Sequence, residues 1–185
     1  MNVRELSIPG VLLIEPRVFG DSRGFFMETF NAERYESSGI VGPFVQDNIS
    51  RSRHGVLRGI HFQHPYPQAK LVSVLEGEVF DVAVDLRPES PTFGRWCGEY
   101  LSATNKRQLF IPERFGHAFL VTSESALFHY KCTAFYHPEF ERTIRWDDPQ
   151  IGIEWPVVEV ELSEKDRAGV SLEQFLGGAL TKHGS

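Results

Sequence analysis

The run from Gln46 to Gln63, QDNISRSRHGVLRGIHFQ, sets a glutamine, an asparagine, an arginine and a histidine among short apolar alternations. Val56, Leu57, Ile60 and Phe62 read as β-strand. Polar groups on a buried strand must either satisfy one another or line a cavity. His61 is the natural general base for such a cavity, because free imidazole titrates at about 6.5. Strand alternation puts it with Gly59 and Gln63 on one face and leaves Ile60 and Phe62 on the other. A hydrogen-bonded core histidine fits that position equally well. Arg58 would point away from His61 on a regular strand. Gly59 between them is where a bulge could turn both side chains into one space; the alternative for Arg58 is a surface ion pair.

Tyr130 shares strand parity with Phe128 and Cys132 in HYKCTAFYHP. Most tyrosines in such a row are core residues with a satisfied hydroxyl; across a barrel from His61, a tyrosine would instead donate a proton. His61-Phe62-Gln63, Glu76 and His117 suggest a metal site that does not close, since two histidines without a third nitrogen or a placed carboxylate hold a metal poorly. No metal is expected. Arg23, beside Gly24, sits where backbone can approach a ligand, or merely in a solvated turn, Gly20–Gly24. The chain has no phosphate-binding glycine loop, nucleophile elbow or dinucleotide fingerprint. A bound nucleoside phosphate would therefore rest on arginines such as Arg23 and Arg58.

The elements that would carry these groups are mostly strands. Strand-like runs recur at Val11–Phe19, Gly24–Phe30, Phe44–Ile49, Val56–Gln63, Ala69–Leu75, Glu78–Leu86, Gly94–Leu101, Gln108–Ile111, Ala118–Thr122 and Ala126–Phe135. Such spacing with turn residues between predicts an all-β sandwich or barrel. From Val79 to Leu86 the period of two is clearest: Phe80, Val82, Val84 and Leu86 share one face, and Asp81 and Asp85 share the other with Ala83. Short helices are expected at Asn31–Ser38 and behind the boxes Ser163–Asp166 and Ser171–Gln174. Pro149–Pro156 reads as a strap across the body, and residues 177–185 as a disordered tail.

A length of 185 residues suits one domain. The 15 phenylalanines supply much of its core volume. A net charge of −6 argues against a general nucleic-acid surface, so an anionic ligand needs local arginines. Cys97 and Cys132 form no Cys-x-x-Cys motif and read as reduced thiols. The apolar run Val11–Ile14 is too short for a signal peptide or a membrane span, so a cytoplasmic protein is expected.

Seven motifs now converge on one family. They are Asp21–Phe30 (D-x-RG-x-F-x-E-x-F), Gln46–Gln63, Gly77–Arg87 (GEVFDVAVDLR), Ser90–Gly94 (SPTFG), Ile111–Phe119 (IPERFGHAF), Tyr130–Glu139 (YKCT-x-x-YHPE) and Trp146–Pro156 (WDDPQIGIEWP). From Ile8 to Asp166 the chain resembles the dTDP-4-dehydrorhamnose 3,5-epimerases. The one departure is the length of the loop between Gln63 and Ala69. The resemblance implies a cupin-type jelly-roll, or double-stranded β-helix, with short peripheral helices. It also implies a homodimer whose N-terminal strands reach the partner, and a reaction without cofactor. The substrate would be dTDP-4-dehydro-6-deoxy-α-D-glucose and the product dTDP-4-dehydro-β-L-rhamnose.

By motif, the resemblance makes His61 the proton acceptor and Tyr130 the donor, with Asp166 pairing the histidine and Lys70 near the keto oxygen. Asp166 could equally cap the helix that follows Ser163. Arg23, Glu28, Gln46, Asp47, Asn48, Arg58, His117, Glu141 and Lys165 fall on substrate-contacting positions. Tyr136 matches an aromatic that stacks on thymine, and Phe19 a residue lent by the other subunit. Rival readings are a sister epimerase acting at one carbon, a 3,4-ketoisomerase, a metal-dependent cupin, and a non-catalytic sugar-nucleotide module.

Overall fold

The computed structural model describes residues 1–157 and 159–180. Its larger sheet runs β1 (Asn2–Glu5), β2 (Leu12–Glu15), β10 (Gln108–Ile111), β7 (Lys70–Glu76), β12 (Ser125–Cys132) and β5 (Gln46–Arg53). The second runs β13 (Glu141–Thr143), β6 (Leu57–Gln63), β11 (Phe115–Val121), β8 (Glu78–Asp85) and β9 (Trp96–Ser102). Every pairing within them is antiparallel. A hairpin, β3 (Val18–Asp21) and β4 (Gly24–Met27), pairs only with itself. The result is a cupin-type β-sandwich.

Alternation explains how the sheets face each other. Val72, Val74, Leu109, Ile111 and Phe128 from the larger sheet pack against Val79, Ala83, Leu101, Phe119 and Val121 from the smaller. The other parity of β8, Phe80, Val82 and Val84, joins Ile60, Ala118, Ile144, Ile151 and Leu172 on the outer side. Strand β8 is thus buried on both faces, and its aspartate face is interior. Asp81 and Asp85 have no exposed surface. A buried carboxylate must be matched by donors. Asp85 accepts from Arg87, Ser90 and Thr92, tying down the SPTFG turn; burial pushes its carboxyl up, but those donors more than offset this and hold it well below the usual range.

Several boundaries differ from the periodic reading. Val11–Phe19 divides into β2 and β3 around Pro16, which has no N–H for a ladder. Strands β1 and β13 carry too few residues to show a period. The helices are α1 (Ala32–Glu36), α2 (Glu164–Arg167) and α3 (Leu172–Leu180). Ser171 and Gln174 form a reciprocal capping box on α3, and Leu172 is buried in the outer cluster. That helix continues through Gly177 to Leu180, where a disordered tail was expected; residues 181–185 of that expectation lie outside the described residues. Ile151, Ile153 and Trp155 of the strap pack on the outer cluster. No helix among the described residues is long and apolar enough to cross a membrane.

Candidate active site

Between the sheets lies a cavity of about 310 Å³. Strand parity selects its walls. From β5 come the even residues Gln46, Asn48 and Ser50; from β12 come Phe128, Tyr130 and Cys132; from β6 and β11 come Arg58, His61, Gln63, His117 and Phe119. Lys70, Gln68, Tyr136, Glu141 and Lys165 complete the lining, with Phe62 of β6 as the one residue of the other parity beside His61 and Gln63. Asp47 takes the opposite parity on β5. Its carboxylate lies outside the cavity, 2.8 Å from Lys131 Nζ.

A bulge brings Arg58 and His61 to one side. His61 is opposite His117 and Arg58 opposite Phe119, so β6 spends three steps where β11 spends two. Gly59 in that step has φ +125°, and a Cβ there would lie 2.5 Å from Ala118 Cβ and 2.6 Å from the His117 carbonyl oxygen. Gly59→Ala is therefore expected to destabilise the fold by roughly 2–4 kcal/mol, from backbone strain and overpacking together. Denaturant titration checks this, with a lower midpoint at unchanged slope as the expected outcome.

His61 Nε2 donates to Asp166 Oδ1 at 2.5 Å. The other oxygen of Asp166 accepts from the Ser163 hydroxyl at 2.7 Å, and the Asp166 N–H donates to Ser163 Oγ at 3.1 Å. The helix-start and histidine-partner readings of Asp166 are thus both realised, because backbone and carboxylate act separately. Burial pushes the Asp166 carboxyl up, but the hydrogen bond and charge of His61, with Ser163, hold it below its ordinary value. An ionised carboxylate only accepts, so the proton stays on Nε2 and the Nδ1 lone pair is left free. Nδ1 lies 3.9 Å from Glu141 Oε1.

Lys70 and Tyr130 project from the opposite sheet. Among the described residues, the Lys70 ammonium has no hydrogen-bond or ion-pair partner; it lies 6.0 Å from the centre of the Tyr130 ring. Burial lowers its pKa, against the pull of Cys132, Glu141 and Asp81. The Tyr130 hydroxyl likewise has no partner among the described residues, and burial, then Cys132 and Glu141, keep it protonated. Arg58 gives Nε–H to Ser52 Oγ at 3.0 Å, leaving the end of its guanidinium unengaged.

At the rim, Glu141 accepts from Lys165 at 2.9 Å and from the Tyr136 hydroxyl at 2.8 Å. Burial and this carboxylate push the Tyr136 phenol up to about 12. Deeper in, His117 Nε2 meets Asp81 Oδ2 at 2.9 Å. Burial drives the Asp81 carboxyl up and the His117 imidazole down.

Arg23, Glu28 and Phe19 do not reach this cavity within one chain. Arg23 pairs with Asp21 in the exposed hairpin turn, Glu28 meets Arg34 at 3.2 Å, and Phe19 is 51% exposed. Among the described residues, no three His, Cys, Asp or Glu side chains are grouped to hold a metal. The sequence reading did not single out Gln63, Gln68, Ser50, Asp81 or Ser163 for the site. Even parity on β5 could have found Ser50, the parity Gln63 shares with His61 on β6 could have found Gln63, and the Ser163–Asp166 box could have found Ser163. Gln68 and Asp81 depend on contacts between segments distant in sequence.

The family model for dTDP-4-dehydrorhamnose 3,5-epimerase matches residues 5–174. A dTDP-4-dehydrorhamnose 3,5-epimerase of Pseudomonas aeruginosa is 57% identical over 171 residues, covering 91% of this chain and 94% of the relative. One from Methanothermobacter thermautotrophicus is 54% identical over 164 residues, covering 87% and 89%. The solved dTDP-6-deoxy-D-glucose-3,5-epimerase of Legionella pneumophila, in complex with dTDP-4-keto-L-rhamnose, superposes with a TM-score of 0.91 at 55% identity over 93% of each chain. The chain belongs to the dTDP-4-dehydrorhamnose 3,5-epimerase family.

Proposed function

We propose that this chain is a dTDP-4-dehydrorhamnose 3,5-epimerase, converting dTDP-4-dehydro-6-deoxy-α-D-glucose to dTDP-4-dehydro-β-L-rhamnose. Inversion beside a ketone takes a proton from one face of the sugar and returns one to the other. The C4 carbonyl acidifies both C3–H and C5–H, so one site can treat both carbons. His61 Nδ1 takes the proton. Asp166 stabilises the resulting imidazolium. Electrons from the broken C–H bond move onto the carbonyl oxygen, where the Lys70 ammonium stabilises the enolate. Tyr130 then protonates the opposite face as the enolate collapses to the ketone and is left as a phenolate. The imidazolium gives its proton to solvent and the phenolate takes one back before the second carbon reacts.

One observation carries this reading: His61 and Tyr130 stand on opposed sheets around one cavity that also holds an ammonium with no hydrogen-bond or ion-pair partner among the described residues. Incubation with the 4-keto sugar nucleotide in D₂O tests it. NMR should find deuterium at both C3 and C5. Label at C3 alone or C5 alone would make the chain a single-site epimerase. Tyr130→Phe should keep solvent exchange while losing most inversion; inversion at the normal rate would remove Tyr130 from the acid role.

The nucleotide does no chemistry, but its binding energy holds the sugar for reaction. Arg58 would take the diphosphate. Arg58→Ala should weaken dTDP binding by roughly 10- to 100-fold, the worth of charge-assisted hydrogen bonds. Calorimetry checks it, and unchanged affinity would dismiss the assignment. A homodimer would bring Arg23, Glu28 and Phe19 to a partner's cavity. The exposed hairpin phenylalanines Phe19, Phe25 and Phe26 support that arrangement, since a partner surface would cover them. Sedimentation should give twice the chain mass. Free, buried Cys97 and Cys132 agree with the cytoplasmic location proposed here.

A further inference from the structure

The segment Ala134–His137 carries Tyr136 at the cavity rim and belongs to no strand or helix. Three glutamine side chains hold its backbone instead. Gln68 Nε2 donates to the Ala134 carbonyl at 2.6 Å. Gln63 Nε2 donates to the Phe135 carbonyl at 3.2 Å and to the Tyr66 carbonyl at 2.8 Å. The Tyr136 N–H donates to Gln46 Oε1 at 2.9 Å, and the His137 N–H to Gln63 Oε1 at 2.7 Å. Four consecutive residues are thus fixed by amides, which do not titrate. The Gln63 amide is 5% exposed and uses both its ends, so its orientation is fixed by what it must donate to and accept from. The far end of the Tyr136 side chain is tied as well, by the hydroxyl bond to Glu141.

We infer that Gln63, assisted by Gln68 and Gln46, is a positioning residue for nucleotide binding: it locks the 134–137 segment so that Tyr136 presents a fixed ring face to a planar base before the ligand arrives. The inference rests on the sugar-nucleotide reading above and adds what makes its base platform rigid. An irregular loop left to itself would sample many orientations of that ring, and binding would have to select one. Gln63 also lies two residues beyond His61 on β6. One strand therefore sets both the platform for the base and the position of the proton acceptor, and so the span between nucleobase and reacting carbon.

The test uses Gln63→Leu and Gln63→Met, with thermal melting to identify folded variants. Calorimetry with dTDP and with inorganic pyrophosphate needs no turnover, so it stays informative even if the epimerase reading fails. The expected result is a dTDP dissociation constant raised roughly 10- to 100-fold, the worth of a base-stacking contact, with pyrophosphate affinity changed less than threefold. In turnover the loss should fall mainly on KM, with a smaller change in kcat. A cycle with Tyr136→Ala should be non-additive: the double variant should bind dTDP about as the Tyr136→Ala single does. Equal losses for dTDP and pyrophosphate, additive losses in the cycle, or unchanged dTDP affinity would each overturn the inference. If neither substitution folds, Gln68→Ala, which removes one donor at a part-buried position, gives the same comparison, and equal dTDP binding there would overturn it.

Discussion

His61→Asn is expected to lower kcat by roughly 10³-fold or more, at the upper part of what a positioned acid–base group contributes. It should abolish epimerisation and deuterium exchange at C3 and C5 together, because no proton leaves the sugar. The exchange assay sets it apart from Tyr130→Phe, in which the proton leaves but the opposite face is not protonated. Should His61→Asn still exchange label at the normal rate, another group must be the base. Asp166→Asn should cost up to roughly 10⁴-fold, the loss when the carboxylate behind a triad histidine loses its charge. The same carboxylate carries a stability signature. Its folded-state pKa lies below its unfolded value, so the pairing contributes stability above the ordinary carboxylate range and loses it as pH falls through the lowered value. Acid unfolding of Asp166→Asn should accordingly be less steep than that of the unaltered protein, as followed by far-ultraviolet circular dichroism.

Lys70→Met should lower kcat by roughly 10²- to 10³-fold, the usual loss when one donor to a developing oxyanion is removed. The effect is large because, among the described residues lining the cavity, no other cation is so placed: the free end of the Arg58 guanidinium is given to the diphosphate, and Lys165 is paired with Glu141. Lys70 also gives the reaction an alkaline limit. The ammonium form stabilises the enolate, and burial lowers its pKa below the ordinary 10.5. Activity is therefore present below that lowered value and falls as pH rises through it. A kcat profile from neutral pH upward should show a decline that begins below the ordinary lysine range. Lys70→Arg, whose cation does not titrate there, should retain part of the activity and lack that decline. If Lys70→Arg kept the same alkaline limb, the limb would belong to another group.

The sequence determined the strands, and through them most of the cavity wall. Alternation is local: Gln46 and Asn48 share parity on β5, and Phe128, Tyr130 and Cys132 on β12, whatever the rest of the chain does. The glycine between Arg58 and His61 marked the bulge for the same reason, since the signal lies within three residues. Local pattern cannot say which face is interior: alternation separated the Phe80 face of β8 from the Asp81 face, but only the closing of two sheets shows that both are buried. Nor can it pair residues far apart. His61 and Asp166 are separated by 105 positions, and Glu141 comes from a three-residue strand with no period of its own. The glutamine bonds around Tyr136 exist only because β5, β6 and the loop before β7 converge there. Parity is a property of neighbouring residues, while register and convergence belong to the whole chain; that is why the walls were legible early and the hydrogen-bond partners were not.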